Sequence, residues 1–386
     1  MDGWTDDQKA LRKSLEPFFE RLSADHVEDD VNNVFPRAKW DLIRESGVIG
    51  LPFDKEWGGL GQDALTMVYV LEHLGYGCRD SGLLFTLATQ IVSMAIPIQR
   101  FGSDELKERY LRQLIDGSMI SAHAISEPEA GSDATAMSTT ATEDGDSYVI
   151  NGKKAFCTSG PIADAITVYA TTGDGGATGI SAFLVPTDTQ GIRVGDPIPK
   201  MGLNTSPIGE LEFTDCRVPK ENLIGKAGGG FFILEHVMGW EILCIFIMMV
   251  GEMQRRLEEC IRFAKTRTQF GAPIASNQYI AGKIVDQKIG VETSRKHLYD
   301  TAERMARGRS AITEIAMAKL VTSEANLSSA LAAVQIFGGR GYMREAGLEK
   351  ELRAAVGGPI YSGTNEMQRI RIASMLGLIR PGWKSF

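Results

Sequence analysis

The chain is short of paired cysteines. Its five, Cys78, Cys157, Cys216, Cys244 and Cys260, are scattered and form no C-x-x-C. That argues against a disulfide framework or a zinc site and fits a reducing, cytoplasmic compartment. Basic charge is also in deficit, with 41 Lys and Arg against 49 Asp and Glu, a net charge of −8. A surface of that sign repels phosphate backbones, so general nucleic-acid binding is not expected. The start, Met1-Asp2-Gly3-Trp4-Thr5-Asp6-Asp7, is acidic and lacks the basic and apolar regions of a signal peptide. No apolar run is free of charge for the width of a bilayer. The nearest, residues 231–250, contains Glu235, His236 and Glu241 and reads as a buried helix, so no membrane partner is expected. Also missing are G-x-G-x-x-G, a phosphate-binding G-x-x-x-x-G-K-[ST], H-E-x-x-H and G-x-S-x-G, and the five histidines do not pair at metal spacing. A Rossmann dehydrogenase, a P-loop enzyme, a zinc hydrolase and an α/β-hydrolase are disfavoured. There is no solenoid repeat and no low-complexity tail.

What is present is an ordinary soluble composition, 43% hydrophobic and 23% charged over 386 residues, enough for two or three domains. Residues 1 to about 120 read as helices. Thr5-Asp6-Asp7-Gln8 is a capping box ahead of Leu11, Leu15 and Phe18, and helical patterns recur over 40–45, 64–74, 82–101 and 104–115. From 121 to about 225 the period changes. Asn151-Gly152, between Tyr148-Val149-Ile150 and Lys153-Lys154-Ala155-Phe156, predicts a two-residue hairpin, and further strands are expected over 165–171, 179–185, 191–195 and 210–213. After the Gly-rich boundary at 225–230, long helices are predicted over 231–266, 278–307 and 311–338, with a short one after Thr364. The expected fold is α+β and mainly helical: a helical domain (1–120), a β domain (121–225) and an antiparallel helical bundle (226–386).

Three segments, in order, carry an identification. They are Ala122-His123-Ala124-Ile125-Ser126-Glu127-Pro128 through Gly131-Ser132-Asp133, then Arg267-Thr268-Gln269-Phe270-Gly271 with Gln278, then Gln335-Ile336-Phe337-Gly338-Gly339-Arg340-Gly341 through Tyr361-Ser362-Gly363-Thr364-Asn365-Glu366. Together they resemble the acyl-CoA dehydrogenase superfamily of flavoproteins over nearly the whole chain. That resemblance implies the same three-domain fold with a C-terminal four-helix bundle, bound FAD, and a homotetramer in which one subunit completes its neighbour's cofactor site. It gives His123, Ile125, Ser126 and Ser132 to the loop around the flavin ring and pyrophosphate, with Ser132 also beside the substrate. Phe156 and Thr158 belong to the segment that stacks an aromatic on the flavin, where the family usually has tryptophan. Arg267, Phe270 and Gln278 fall to the pyrophosphate and adenine grip from the neighbouring subunit. Gln335, Gly338 and Gly339 form the adenine-side loop, and Thr364 and Glu366 lie beside the adenosine pyrophosphate. A guanidinium fork suits phosphate oxygens. Taken singly these residues have plainer readings: Arg267 as a solvated charge, Gly338-Gly339 as a helix C-cap, Phe270 as core.

The resemblance also locates a base. Removing the proton next to a thioester carbonyl needs a nearby carboxylate. Most of the family places it directly after the tyrosine of Tyr-x-Gly-Thr, where this chain has Ser362, a residue otherwise assigned to substrate binding. A minority carries it on the first helix of the bundle. Aligned on Gly251 and Gln254, that position is Glu241, just before the apolar run 242–250. The plain alternative is a helix-end acid facing solvent. Two family contacts to CoA are replaced, by Gly239 and Ile242. With Trp240-Glu241, Ser362-Gly363-Thr364-Asn365, Pro161-Ile162-Ala163-Asp164 and Arg79-Asp80-Ser81-Gly82-Leu83, the chain looks like the prolyl-carrier-protein dehydrogenases of antibiotic and pigment biosynthesis. The implied substrate is L-proline held as a thioester on the phosphopantetheine arm of a carrier protein and oxidised to pyrrole-2-carbonyl. The alternatives are a short- or branched-chain acyl-CoA dehydrogenase and, ranked last, a non-catalytic DNA-associated homologue.

Overall fold

A computed structural model describes residues 3–173 and 176–379; Met1 and Asp2 of the acidic start lie outside it. In the helical N-terminal region, α1 (Asp6–Lys13) begins at the expected capping box, with Thr5 and Gln8 exchanging hydrogen bonds. Two apolar helices follow, α2 (Ala64–Gly77) and α3 (Ser81–Gln90), each opened by an aspartate that accepts a backbone N–H. Asp63 and Asp80 thereby satisfy donors that the first helical turn leaves unpaired.

The middle region is one eight-stranded sheet in the order β6-β7-β3-β2-β4-β5-β8, with β1 added parallel to β4. The strands are β1 (Ser121–Ala124), β2 (Thr140–Asp144), β3 (Ser147–Thr158), β4 (Ala165–Thr171), β5 (Ile180–Pro186), β6 (Ile192–Val194), β7 (Ile208–Pro219) and β8 (Leu223–Ile224). The hairpin predicted at Asn151-Gly152 is not there. These residues lie inside β3, and the turn is Gly145-Asp146, between β2 and β3. Gly152 is required for another reason. The pairing of β3 with β7 slips at this point, φ is 148°, and a Cβ would stand 2.5 Å from the Thr139 hydroxyl. It marks a bulge and a close approach, not a turn.

The C-terminal region is built on α4 (Gly230–Thr266), α5 (Gln278–Ala306) and α6 (Ile312–Phe337), with the shorter α7 (Leu348–Val356) and α8 (Asn365–Met375) packed on α6. Helix α7 and the turns before it lie where the sequence reading had no element. Helix α4 crosses α2 at very close range: a Cβ on Gly251 would lie 2.1 Å from the Glu72 carbonyl oxygen, and one on Gly75 equally close to that of Met248. The apolar run Ile242–Val250 is thereby sealed into the main core with Leu71, Leu74 and Leu87. Both stretches hydrophobic enough to cross a membrane, Ser81–Phe101 and Gly230–Thr266, are instead mostly buried within the protein. The sheet has its own core around Ile150, Ile166, Phe183 and Phe213.

Candidate active site

Glu241 is on the buried face of α4, only 7% exposed. The reading of it as a solvent-facing acid is therefore excluded. Burying a carboxylate is costly unless it is hydrogen-bonded. One oxygen, Oε1, accepts a hydrogen bond of 2.5 Å from the Ser362 hydroxyl, reaching in from the loop before α8. The other, Oε2, lies 3.4 Å from His123 Nε2 on β1. Three elements distant in sequence thus meet at one carboxylate. Ser362 has φ of 55° and is followed by Gly363 at 76°, the left-handed backbone that turns the hydroxyl inward. His123 reaches α4 because strand side chains alternate: Ala122 and Ala124 fill the sheet core and His123 points the other way.

The surroundings of Glu241 are buried and uncharged. Burial holds the His123 ring below its ordinary pKa, against the pull of Glu241, so it is neutral at pH 7. Burial, with Glu241's charge, pushes the Tyr169 hydroxyl and the Cys244 thiol up. The Tyr361 hydroxyl is raised by burial and by Glu252 and Glu241. Along the same face of α4, at helical spacing, follow Ile245, Met248 and Glu252. They line a small, partly open cavity with Ser81, Leu84, Phe85, Asn326 and Tyr361. Its wall toward Glu241 is Tyr361, packed edge-on against Phe85 at 4.7 Å. Sequence reasoning missed the cavity residues. Tyr169, on β4, gave no local signal, and Tyr361 was visible only as part of a motif.

The remaining residues singled out for FAD divide into two groups. His123, Ile125, Ser126, Ser132, Phe156, Thr158, Thr364 and Glu366 belong to the Glu241 end of the molecule or to the sheet beside it. Ser126 and Ser132 sit on a loop anchored by buried Glu127, which accepts from the Ser138 and Thr139 N–H groups and from Lys154 Nζ at 2.8 Å. Phe156 lies at the second slip in the β3–β7 pairing, with φ of 54°, and its ring stands 65% exposed. Thr364 caps α8, accepting from the Met367 N–H. Lys319 of α6, fully buried, donates to Asn365 beside it. Arg267, Phe270, Gln278, Gln335, Gly338 and Gly339 are elsewhere. Arg267 directly follows α4, about 39 Å along the axis from Glu241 at about 1.5 Å per residue. Phe263, one turn before it, stacks on Phe337 at 4.1 Å, which brings Gln335, Gly338 and Gly339 to that far end. Phe270 tips a two-stranded turn and is fully exposed, not core. Gly338 does cap α6, with φ of 60°. The chemistry of the first group fits a flavin: an unpartnered aromatic face and hydroxyl donors beside a buried base. Among the described residues no cluster of His, Cys, Asp or Glu could hold a metal ion.

A three-domain fold of this order, with a buried glutamate where the sheet meets the bundle, defines a class. The N-terminal, middle and C-terminal domain patterns of acyl-CoA dehydrogenase match residues 5–118, 122–216 and 228–377, and the chain belongs to that family of oxidoreductases. Among its relatives, the L-prolyl-[peptidyl-carrier protein] dehydrogenase of Pseudomonas fluorescens is 40% identical over 89% of this chain and 91% of its own. The crystal structure of the prolyl acyl carrier protein oxidase AnaB superposes with a TM-score of 0.95 at 39% identity, covering 97% of this chain and all of AnaB. PigA with FAD and proline gives 0.95 at 37% identity, covering 98% and 99%.

Proposed function

We propose that this protein binds FAD and dehydrogenates L-proline held as a thioester on a peptidyl carrier protein, giving the pyrrole-2-carbonyl thioester. The observation that carries this reading is the placement of Glu241: buried, hydrogen-bonded through one oxygen by Ser362, its other oxygen without a hydrogen-bond partner and 3.4 Å from His123 Nε2. FAD, when bound, would supply the acceptor for the hydride; prolyl to pyrrole-2-carbonyl loses four hydrogens, so the pyrrole requires two such two-electron rounds, with the flavin reoxidised by an external electron acceptor between them. Glu241 takes the proton from the carbon next to the thioester carbonyl through Oε2. The Ser362 N–H donates to that carbonyl and stabilises the developing enolate. Tyr361, Phe85 and the core around α4 keep bulk water from the carboxylate, and Phe156 covers the flavin ring.

The far group of residues, too distant to reach this site, serves a neighbouring copy in a homotetramer, with Arg267 on its pyrophosphate. The five buried thiols fit the reducing, cytoplasmic setting. The deciding experiment is anaerobic mixing of the FAD-bound protein with prolyl-loaded carrier protein or with short acyl-CoA thioesters, following flavin bleaching. Bleaching by the loaded carrier alone is expected. Bleaching by the acyl-CoA and not the carrier would transfer the protein to the short-chain dehydrogenases.

A further inference from the structure

The proposed chemistry uses the backbone of Ser362, and that backbone needs support. Ser362 has φ of 55° and Gly363 φ of 76°, two successive residues in the left-handed region. A serine visits that region rarely and stays there only where its surroundings dictate it. On one side the Ser362 hydroxyl is tied to Glu241. On the other stands Gln368, in the first turn of α8 and only 4% exposed. Its Nε2 donates to the carbonyl oxygens of both Ser362 and Gly363, at 3.1 Å each. The amide nitrogen carries two hydrogens, one for each carbonyl, and the opposite orientation would set Oε1 against two oxygens. Gly363 is fitted to this contact, since a Cβ there would lie 2.9 Å from Nε2. The residues that follow are held by other groups. Thr364 caps α8, and the Asn365 side-chain oxygen accepts from buried Lys319 and from Ser323.

We infer that Gln368 is a positioning residue for Ser362: its two hydrogen bonds hold the left-handed turn that aims the Ser362 N–H at the thioester carbonyl and the hydroxyl at Glu241. One amide makes both bonds, so a single side chain fixes two successive peptide units. An N–H displaced by about 1 Å loses much of its hold on the charge that develops on the carbonyl oxygen, which can cost on the order of a hundredfold in rate. The amide carries no net charge, so its role is one of geometry. The inference rests on the Ser362 N–H as donor to the thioester carbonyl.

The test is Gln368→Met in the FAD-bound protein, which keeps the length of the side chain and removes both donors. Flavin bleaching is followed by anaerobic stopped flow over a range of prolyl carrier protein concentrations. The limiting rate per bound FAD is expected to fall about tenfold or more, with the half-saturating concentration within about twofold of wild type. A second readout needs no turnover. Carrier protein bearing the pyrrole-2-carbonyl thioester, ¹³C-labelled at the carbonyl, is bound to the oxidised protein, and isotope-edited infrared difference spectra give the C=O stretch. A hydrogen bond to the carbonyl lowers that frequency, and in Gln368→Met it is expected to return toward the value of the free thioester. Lost packing alone lowers the unfolding midpoint or the FAD content and moves neither readout. An unchanged limiting rate, a change confined to half-saturation, or a C=O band equal to that of wild type overturns the inference. Should Gln368→Met fail to take up FAD, Gln368→Asn, one methylene shorter, replaces it with the same expectations. If neither variant holds FAD, Gln368 serves the fold and the inference is overturned. The assay also separates the two readings. Wild-type protein that loaded carrier does not bleach removes the proposed function, whereas bleaching in wild type with Gln368→Met unaltered removes only the role of Gln368.

Discussion

In the proposed chemistry Glu241 is the base, and Ser362, where most of the family has a glutamate, is tied to it by a hydrogen bond. Glu241→Gln preserves size and hydrogen bonding but not basicity. It is expected to keep FAD and lose at least a hundredfold in the rate of flavin reduction, measured by anaerobic stopped flow. Ser362→Ala keeps the backbone N–H and is expected to lose far less, about tenfold or under, because only one donor to the carboxylate is removed. The pair Glu127–Lys154 is a second residue-scale test, of structure. Burial opposes both charges. On Glu127, donors from Lys154, Thr139 and Ser138 outweigh it and bring the carboxyl group down to about 2. Since the folded value is depressed, this stabilisation is fully present above the ordinary carboxyl pKa near 4.5 and is lost as pH falls from there toward 2. Lys154→Met strands the carboxylate. It is expected to cost about 3–5 kcal/mol in denaturant unfolding and to loosen the loop bearing Ser126 and Ser132.

Among the elements, the contact between α2 and α4 sets where Glu241 stands. Two glycines let the helices touch backbone to backbone, so Gly251→Ala must force them apart. A loss of about 1–3 kcal/mol is expected by thermal unfolding, with slower flavin reduction in the surviving folded protein, since the displaced helix carries the proposed base. Long elements were the most legible in the sequence. The predicted spans 231–266 and 278–307 differ from α4 and α5 by a residue or less at each end, and β4 matches its predicted span. The periodic apolar faces that bury these elements are local, and a sequence displays them. Asn151-Gly152 misled because the same dipeptide serves turns and bulges, and only the pairing with β7 and the packing on Thr139 decide between them. Helix α7, nine residues long, was too short for its period to stand out, although Glu351 on it makes the buried ion pair with Arg256 at 2.7 Å. At the site, the apolar run after Glu241 made its burial legible, whereas its bond to Ser362, far away in sequence, left no local signal. The ring of His123 against Glu241 could not be read, because alternation along β1 says which way the ring points and nothing about what waits there.

In the whole molecule, the residues assigned to FAD fall at opposite ends of a 37-residue helix. A single chain cannot close one cofactor site with both. The proposed tetramer is therefore tied to cofactor retention. Arg267→Ala is expected to weaken FAD binding at least tenfold while leaving the Glu241 end folded, and dilution of wild-type protein below the dissociation constant of the assembly is expected to release FAD. Light scattering combined with flavin fluorescence reads both, and a monomer that retains FAD tightly would contradict the arrangement. Helix α4 also makes each chain a lever. In the assembly proposed, Glu241 on α4 is the base of one site and Arg267, directly after the helix, grips the phosphates of another, about 39 Å apart. About 2.5° of tilt at the glycine crossing, about 24 Å from Arg267, moves that end by about 1 Å, a displacement large enough to change rates on the order of a hundredfold. In that proposed assembly, catalysis in one subunit and cofactor grip in the next would be mechanically coupled, and selection on either would act on the stiffness of the same rod.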